Sequence, residues 1–107
     1  LANSFKNTGA ALTTGGADIY TCPGSTEAVI HAIYISNVDG ATSADVTIKA
    51  TTDGGTTYYH VAKTVPVPAD STLVLDKPVN LEAADKIHIT ASANSDLECF
   101  LSVLEIT

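Results

Sequence analysis

Apolar residues in this chain recur at every second position over short stretches, and each stretch ends in a cluster of Gly, Asp, Asn, Pro or Ser. A period of two sends alternate side chains to opposite faces of an extended strand, and no segment carries the 3.6-residue period of an amphipathic helix. This pattern constrains the chain to a layered all-β fold. Its 107 residues fit one core. A folded monomer of this mass exposes roughly 5,600 Å² of the about 16,000 Å² of its extended chain, so about two thirds of the surface can be buried.

Residues 1–16 are small, polar and Gly-containing, with Phe5 and Leu12 as the only large apolar members besides Leu1. They read as an N-terminal arm ahead of a domain over residues 17–107, because such a segment buries little of itself and takes its order from a neighbour. A short strand at 18–22 stops at Pro23-Gly24, and EAVIHAIYIS at 27–36 is the longest apolar run. Strict alternation there sets Val29, His31, Ile33 and Ile35 on one face and Ala28, Ile30, Ala32 and Tyr34 on the other. Both faces are apolar, so this strand is expected to be covered on both sides, by the core and by a neighbouring subunit, the arm or a loop.

Asn37-Val38-Asp39-Gly40 turns the chain into 44–51, where Val46 and Ile48 alternate with Asp45, Thr47 and Lys49 and leave one face to water. Asp53-Gly54-Gly55 is a hairpin signal, since Asp and Gly tolerate positive φ, with 56–63 as the returning strand and Tyr58 and Tyr59 on opposite faces. Pro66 and Pro68 lack the N–H that a ladder needs, which makes 64–69 a sheet edge or a crossing between sheets. Further strands follow at 71–75, at 86–93 after the turn Glu82-Ala83-Ala84-Asp85, and at 97–106. In the last, Leu97, Cys99, Leu101 and Val103 share one face and Phe100, Leu104 and Ile106 the other. Seven or eight strands spaced near ten residues make an antiparallel β-sandwich, immunoglobulin-like or jelly-roll in connectivity, carrying an extended N-terminal arm.

Charge narrows the function. Five lysines, no arginine and twelve Asp and Glu give a net charge of −7. Phosphate backbones are repelled by such a surface, so nucleic acid is not an expected partner. Anionic membranes are disfavoured for the same reason, and no apolar run approaches the ~20 residues of a spanning helix. The first residues show neither the basic start nor the apolar stretch of a secretion signal. Cys22 and Cys99 lie 77 positions apart with no metal or redox spacing, and are expected to be small buried apolar side chains, with a bridge across the sandwich as the alternative.

No catalytic constellation is present. His31, His60 and His88 fall in three separate strands without a flanking motif. His31, set among large apolar residues, reads as a packed or interface histidine, and His60 and His88 as solvated ones. Asp39 with Asp45, or Asp53 with Asp96, supply oxygen ligands of the kind calcium takes, but Asp in turns ordinarily bonds its own backbone. No metal and no cofactor is expected.

The stretches ANSFKNTG, IYTCPGSTEAVIHAIYISNVDG, ADVTIKATTDGGTTYYHVAKTVPVPADSTLVLDKPVNLEAADKIHITASA and LSVLEI together resemble small β-rich virion proteins of marine tailed bacteriophages and cyanophages that decorate or cement the capsid. The block VPVPADSTLVLDKPVNLEAADKI and the NVDG turn carry most of this likeness, which spans nearly the whole chain. What the resemblance implies is a non-enzymatic decoration protein, made in the host cytoplasm, that binds the major capsid protein on the outside of the shell as clustered copies, often homotrimers. Within that reading the doubly apolar strand offers an oligomer interface at His31, Ile33 and Tyr34. The arm offers a shell contact at Asn3, Phe5, Lys6 and Leu12. The alternatives are a tail, fibre or vertex protein, or a carbohydrate-binding sandwich using Tyr58, Tyr59 and the turn around Asp53.

Overall fold

The computed structural model describes residues 2–107. Nine strands run in chain order: β1 (Asn3–Ala11), β2 (Ala17–Thr21), β3 (Glu27–Asn37), β4 (Ala44–Thr51), β5 (Tyr58–Val67), β6 (Thr72–Leu75), β7 (Val79–Leu81), β8 (Lys86–Ala91) and β9 (Leu97–Ile106). They form two antiparallel sheets. A five-stranded sheet has the order β1-β9-β3-β6, with β7 also on β3, and a four-stranded sheet has the order β2-β8-β4-β5.

β6 and β7 occupy successive stretches of one edge of β3, separated by Asp76-Lys77-Pro78. Taken as one position, they give eight positions in which the first pairs with the last, β1 with β9, β2 with β8, β3 with β6 and β7, and β4 with β5. A long ribbon has been rolled up, and the pairings β3–β9 and β4–β8 close the two sheets. This is jelly-roll connectivity. The immunoglobulin alternative, in which the first two strands share a sheet, is excluded because β1 and β2 lie in different sheets.

The core lies between the sheets and is built from the four central strands. Ile30, Ile33 and Ile35 of β3, Val46 and Ile48 of β4, Ile87 and Ile89 of β8, and Leu97, Leu101 and Val103 of β9 are all at most 1% exposed. β-Branched side chains dominate because they pack well on a pleated, half-buried surface. Loops are pinned by polar side chains with fixed partners. Buried Asn37 donates to the carbonyls of Thr42 and Val67 and accepts from Asp39 N, which fixes the turn after β3. Buried Asp85 accepts from Gly54 N, Glu82 N and Thr51 Oγ1, and so ties the β4–β5 hairpin to the start of β8. Gly54 and Gly55 in that hairpin have φ of 76° and 97°, the conformation its Asp-Gly-Gly signal called for.

β3 departs from strict alternation. Ile30 pairs with Val103 and Ala32 with Ser102, so His31 is an extra residue and forms a β-bulge. The bulge switches parity: Ala28 and Ile30 point inward before it, and Ile33, Ile35 and Asn37 after it. This corrects which residues share a face: Ala28, Ile30, Ile33 and Ile35 point inward and Val29, Ala32 and Tyr34 outward, so both faces are apolar but strict alternation assigns their members wrongly beyond the inserted residue.

The N-terminal segment also differs from the arm expected over residues 1–16; Leu1 lies outside the described residues. β1 pairs with β9 without interruption from Asn3↔Ile106 to Ala11↔Glu98. Leu12 continues the ladder through Leu12 N to Leu97 O at 2.8 Å. Gly16 then carries the chain across to the other sheet with φ of 73°, so close over β8 that a β-carbon there would lie 2.5 Å from Thr90 Oγ1. A segment with few apolar side chains is held by main-chain hydrogen bonds, which carry no side-chain signature.

The parity switch separates neighbouring residues energetically. Ile33→Ala should lower unfolding free energy by about 4 kcal/mol, the cost of a core cavity, and Tyr34→Ala by about 1 kcal/mol or less. Urea denaturation followed by circular dichroism measures both. Equal losses at the two positions would contradict the bulge.

Candidate functional site

The two outer faces of the sandwich differ in chemistry. Across the five-stranded sheet, register aligns Gly9, Phe100, Tyr34 and Val74 in one row. A second row aligns Phe5, Leu104, Val29 and Asn80, with Asn7, Ser102 and Ala32 between the two. Phe5 is 82% exposed, Phe100 47%, Val74 45% and Tyr34 40%. The Tyr34 and Phe100 rings lie 6.4 Å apart at 52°, a tilted aromatic pair. None of these three rows contains a charged residue. Glu98 and Glu27 stand in the flanking rows at either end.

The corresponding row of the four-stranded sheet reads Asp18, His88, Lys49, His60. The Asp18 carboxylate, at the β2 end of this row, gathers its polar contacts. His88 Nδ1 lies 2.9 Å from Asp18 Oδ1, Tyr58 OH donates to the same oxygen at 3.1 Å, and Lys86 Nζ is 3.8 Å from Oδ2. Tyr58 also meets the His88 ring edge-on at 5.5 Å. Partial burial pushes the Asp18 carboxyl upward, but the hydrogen bonds from His88 and Tyr58 and the nearby positive charges outweigh it, and the group sits below its ordinary range. This is a solvated polar surface. The phenol, imidazole and ammonium all converge on one carboxylate.

Of the oligomer-interface residues expected from the sequence, Tyr34 stands on the apolar face and His31 is exposed at the bulge, whereas Ile33 is 1% exposed and belongs to the core. Of the shell-contact residues, Asn3, Phe5 and Lys6 are exposed on β1, whereas Leu12 is 2% exposed and packs inside. Ile33 and Leu12 are therefore corrected to structural residues: the bulge turns Ile33 inward, and even-numbered positions of β1 face the inner side of the sheet. His60 is exposed as expected, and His88 is bound to Asp18 instead of being free in solvent. The sequence reading set Phe100 and Leu104 on the correct face of β9 but did not identify Val29, Val74, Phe100 and Leu104 as parts of one surface. The signal exists only once four strands are in register.

Cys22 and Cys99 are free and buried, at 1% and 4% exposure. Burial raises both thiols above their ordinary value, and acidic neighbours, Glu105 first, add to this at Cys22. Asp39 and Asp53 accept backbone N–H groups of their own turns, from Thr42 and from Thr56 and Thr57. Tyr20 of β2 donates to Glu105 Oε2 of β9 at 2.6 Å and ties the two sheets together.

No protein-family model and no curated protein matches the chain. Solved structures do. A chain of the disulfide-linked pili of Bacillus endospore appendages is similar with a TM-score of 0.60 at 19% identity, over 99% of this chain and 87% of that one. A chain of the acid-stable capsid of Helicobacter pylori bacteriophage KHP30 is similar with a TM-score of 0.58 at 9% identity, over 100% and 89%. A pentameric capsid protein from metagenomic phage sequences aligns with a TM-score of 0.49 at 18% identity, over 92% and 59%. The likeness is one of fold, shared with phage capsid and pilus structural proteins.

The Tyr20–Glu105 contact predicts an alkaline response. Burial first, and then the hydrogen bond to Glu105 and its charge, raise the phenol well above its ordinary value of 10.0. The stabilisation is intact below pH 10, the value in the unfolded chain, and is lost as pH climbs toward the higher folded-state value. Tyr58, bonded to Asp18, is raised as well, so the test is made in a Tyr58→Phe background: phenolate absorbance should show a late component above pH 10 that disappears when Tyr20→Phe is added. A late component that survives both substitutions would contradict the assignment.

Proposed function

We propose that this chain is a non-enzymatic virion protein of a tailed bacteriophage that binds the outside of the capsid shell as clustered copies and stabilises it. Its partners in this reading are the major capsid protein and further copies of itself. The observation that carries the proposal is the contrast between the two outer faces: one sheet presents charge-free rows that include Phe100, Tyr34 and Val74, and the other presents the charged row of Asp18, His88, Lys49 and His60. A net charge of −7 makes copies repel one another over most of the surface, and the uncharged face is where contact is least opposed. The sequence resemblance to decoration proteins and a fold shared with the KHP30 capsid chain support the same reading.

A decoration protein acts by mass action. It binds the mature lattice better than a precursor or broken shell, and modest contacts repeated over many identical sites shift that equilibrium. A fibre or tail role is the second reading, favoured by the likeness to the pilus chain. The carbohydrate alternative loses support, because the Tyr58 hydroxyl is committed to Asp18 and Tyr59 lies on the other side of β5.

Copy number separates the first two readings. Quantitative mass spectrometry of purified particles is expected to give about one copy per shell subunit, or one cluster per local symmetry axis, and a handful per particle would move the protein to the tail or a vertex. The face itself is tested with the double substitution Val74→Asp and Phe100→Asp, made at exposed positions. It should reduce particle binding at least 100-fold without altering the fold, while Lys49→Ala and His60→Ala on the opposite sheet leave binding unchanged. The reverse pattern would contradict the proposal.

A further inference from the structure

We infer that two copies of this chain pair edge to edge through β1, antiparallel about a two-fold axis at Asn7, so that two five-stranded sheets become one continuous sheet. This pairing is the clustering of copies that the proposed function calls for, while its geometry stands on β1 itself.

The sandwich has four sheet edges, and three are blunted against strand addition. β2 is five residues long and carries an extra residue at Ile19. β5 carries two register shifts, a positive φ at Thr64 and Pro66. β6 and β7 are four and three residues long, separated by a break that contains Pro78. β1 differs: it is nine residues long and stays in register throughout. Short strands, bulges and prolines are the devices that keep edges from pairing, and β1 has only the single charge of Lys6.

The backbone of β1 is set for a partner. Ala2 and Thr107 exchange both hydrogen bonds, at 3.1 and 2.9 Å, and Leu12 N bonds Leu97 O at 2.8 Å. Even-numbered residues therefore bond β9. The alternation of an antiparallel ladder directs N–H and C=O of Asn3, Phe5, Asn7, Gly9 and Ala11 to the open side, where no described strand lies. A second β1 centred at Asn7 satisfies all five: Asn3 faces Ala11 of the other copy, Phe5 faces Gly9, and Asn7 faces Asn7.

Side chains favour the same register. Phe5 is 82% exposed in one copy, the most exposed of the large apolar residues. In the pair its ring lies over Gly9 of the other copy, where there is no side chain, and next to Phe100, which shares the Gly9 row with Tyr34. Aromatic packing across a glycine of this kind stabilises paired strands. Lys6 falls opposite Thr8, so no like charges are directly opposed. β1 contains no acid, in a chain of net charge −7, so pairing through it sets no two carboxylates against each other. The two apolar faces become one.

Sedimentation velocity and cysteine cross-linking of the purified full chain test the pairing. Wild type is expected at twice 11.0 kDa. Asn7→Cys adds one exposed thiol to a chain whose own Cys22 and Cys99 are buried, and a hydrogen-bonded pair at the axis holds its Cα atoms about 5.5 Å apart, within disulfide reach. Oxidation should convert most of Asn7→Cys to covalent dimer and leave Asn3→Cys monomeric on a non-reducing gel. Asn7→Pro removes an outward N–H and no bond to β9, and should weaken dimerisation at least tenfold with an unchanged circular dichroism spectrum. Phe5→Asp, at a side chain already in water, provides the same test if proline disturbs the strand. A monomeric or trimeric wild type, a dimer insensitive to both substitutions, or equal cross-linking at Asn3 and Asn7 would overturn the inference. A dimer that fails to bind particles would overturn the proposed function alone, and a monomer that binds them would overturn the pairing alone.

Discussion

The pairing of β3 with β9 is the contact on which the rest of this structure hangs. It joins residues 27–37 to residues 97–106 in a ladder that runs the length of both strands. Among the described residues, β1 has no strand neighbour other than β9, and β6 and β7 have none other than β3. The inward side chains of the pair, from Ile30 and Ile33 to Leu101 and Val103, supply half of the core wall. Because the two segments are far apart in sequence, this ladder carries a large loop-closure entropy and is stabilised only when the four-stranded sheet packs behind it. The bulge at His31 lets one strand serve that wall while meeting β9 on one edge and both β6 and β7 on the other.

The same ladder organises the outer surface. Its register brings Phe100 beside Tyr34, β6 adds Val74, and β1 adds the open edge beyond Gly9. Cross-strand neighbours that are far apart in sequence thereby become one apolar face without charge. The four-stranded sheet gathers its charged groups into the Asp18, His88, Lys49 and His60 row. Exposed aromatic rings stand on both sheets, Tyr34 and Phe100 on one and Tyr58 and Tyr59 on the other, so the two faces differ in charge, and in the proposed function the uncharged one is the contact face.

The sequence was most readable where one face meets water without interruption. β4, β8 and β9 alternate cleanly, and their inward sets, Val46 and Ile48, Ile87 and Ile89, Leu97, Leu101 and Val103, are those found buried. In β3 the pattern misassigns faces beyond His31, because period two counts residues and one bulged residue reverses the count. β1 has the pattern of an arm because an edge strand bonded through its main chain needs few apolar side chains. Eight-position connectivity was not readable at all, since the choice between jelly roll and immunoglobulin pairing rests on partners such as β1 with β9 that local pattern does not specify. The apolar face was hidden for the same reason. Its members, Phe5, Val29, Tyr34, Val74, Phe100 and Leu104, are unremarkable singly and form a surface only through register.

The central claim is that the five-stranded sheet is the face through which this protein assembles. Hydroxyl-radical footprinting, comparing free protein with protein bound to purified particles, tests it most directly because aromatic residues mark both faces. Strong protection of Tyr34 and Phe100 on binding, with Tyr58 and His60 as reactive as in the free protein, is the result this account predicts. Protection of Tyr58 and His60 with Tyr34 and Phe100 unchanged would contradict it.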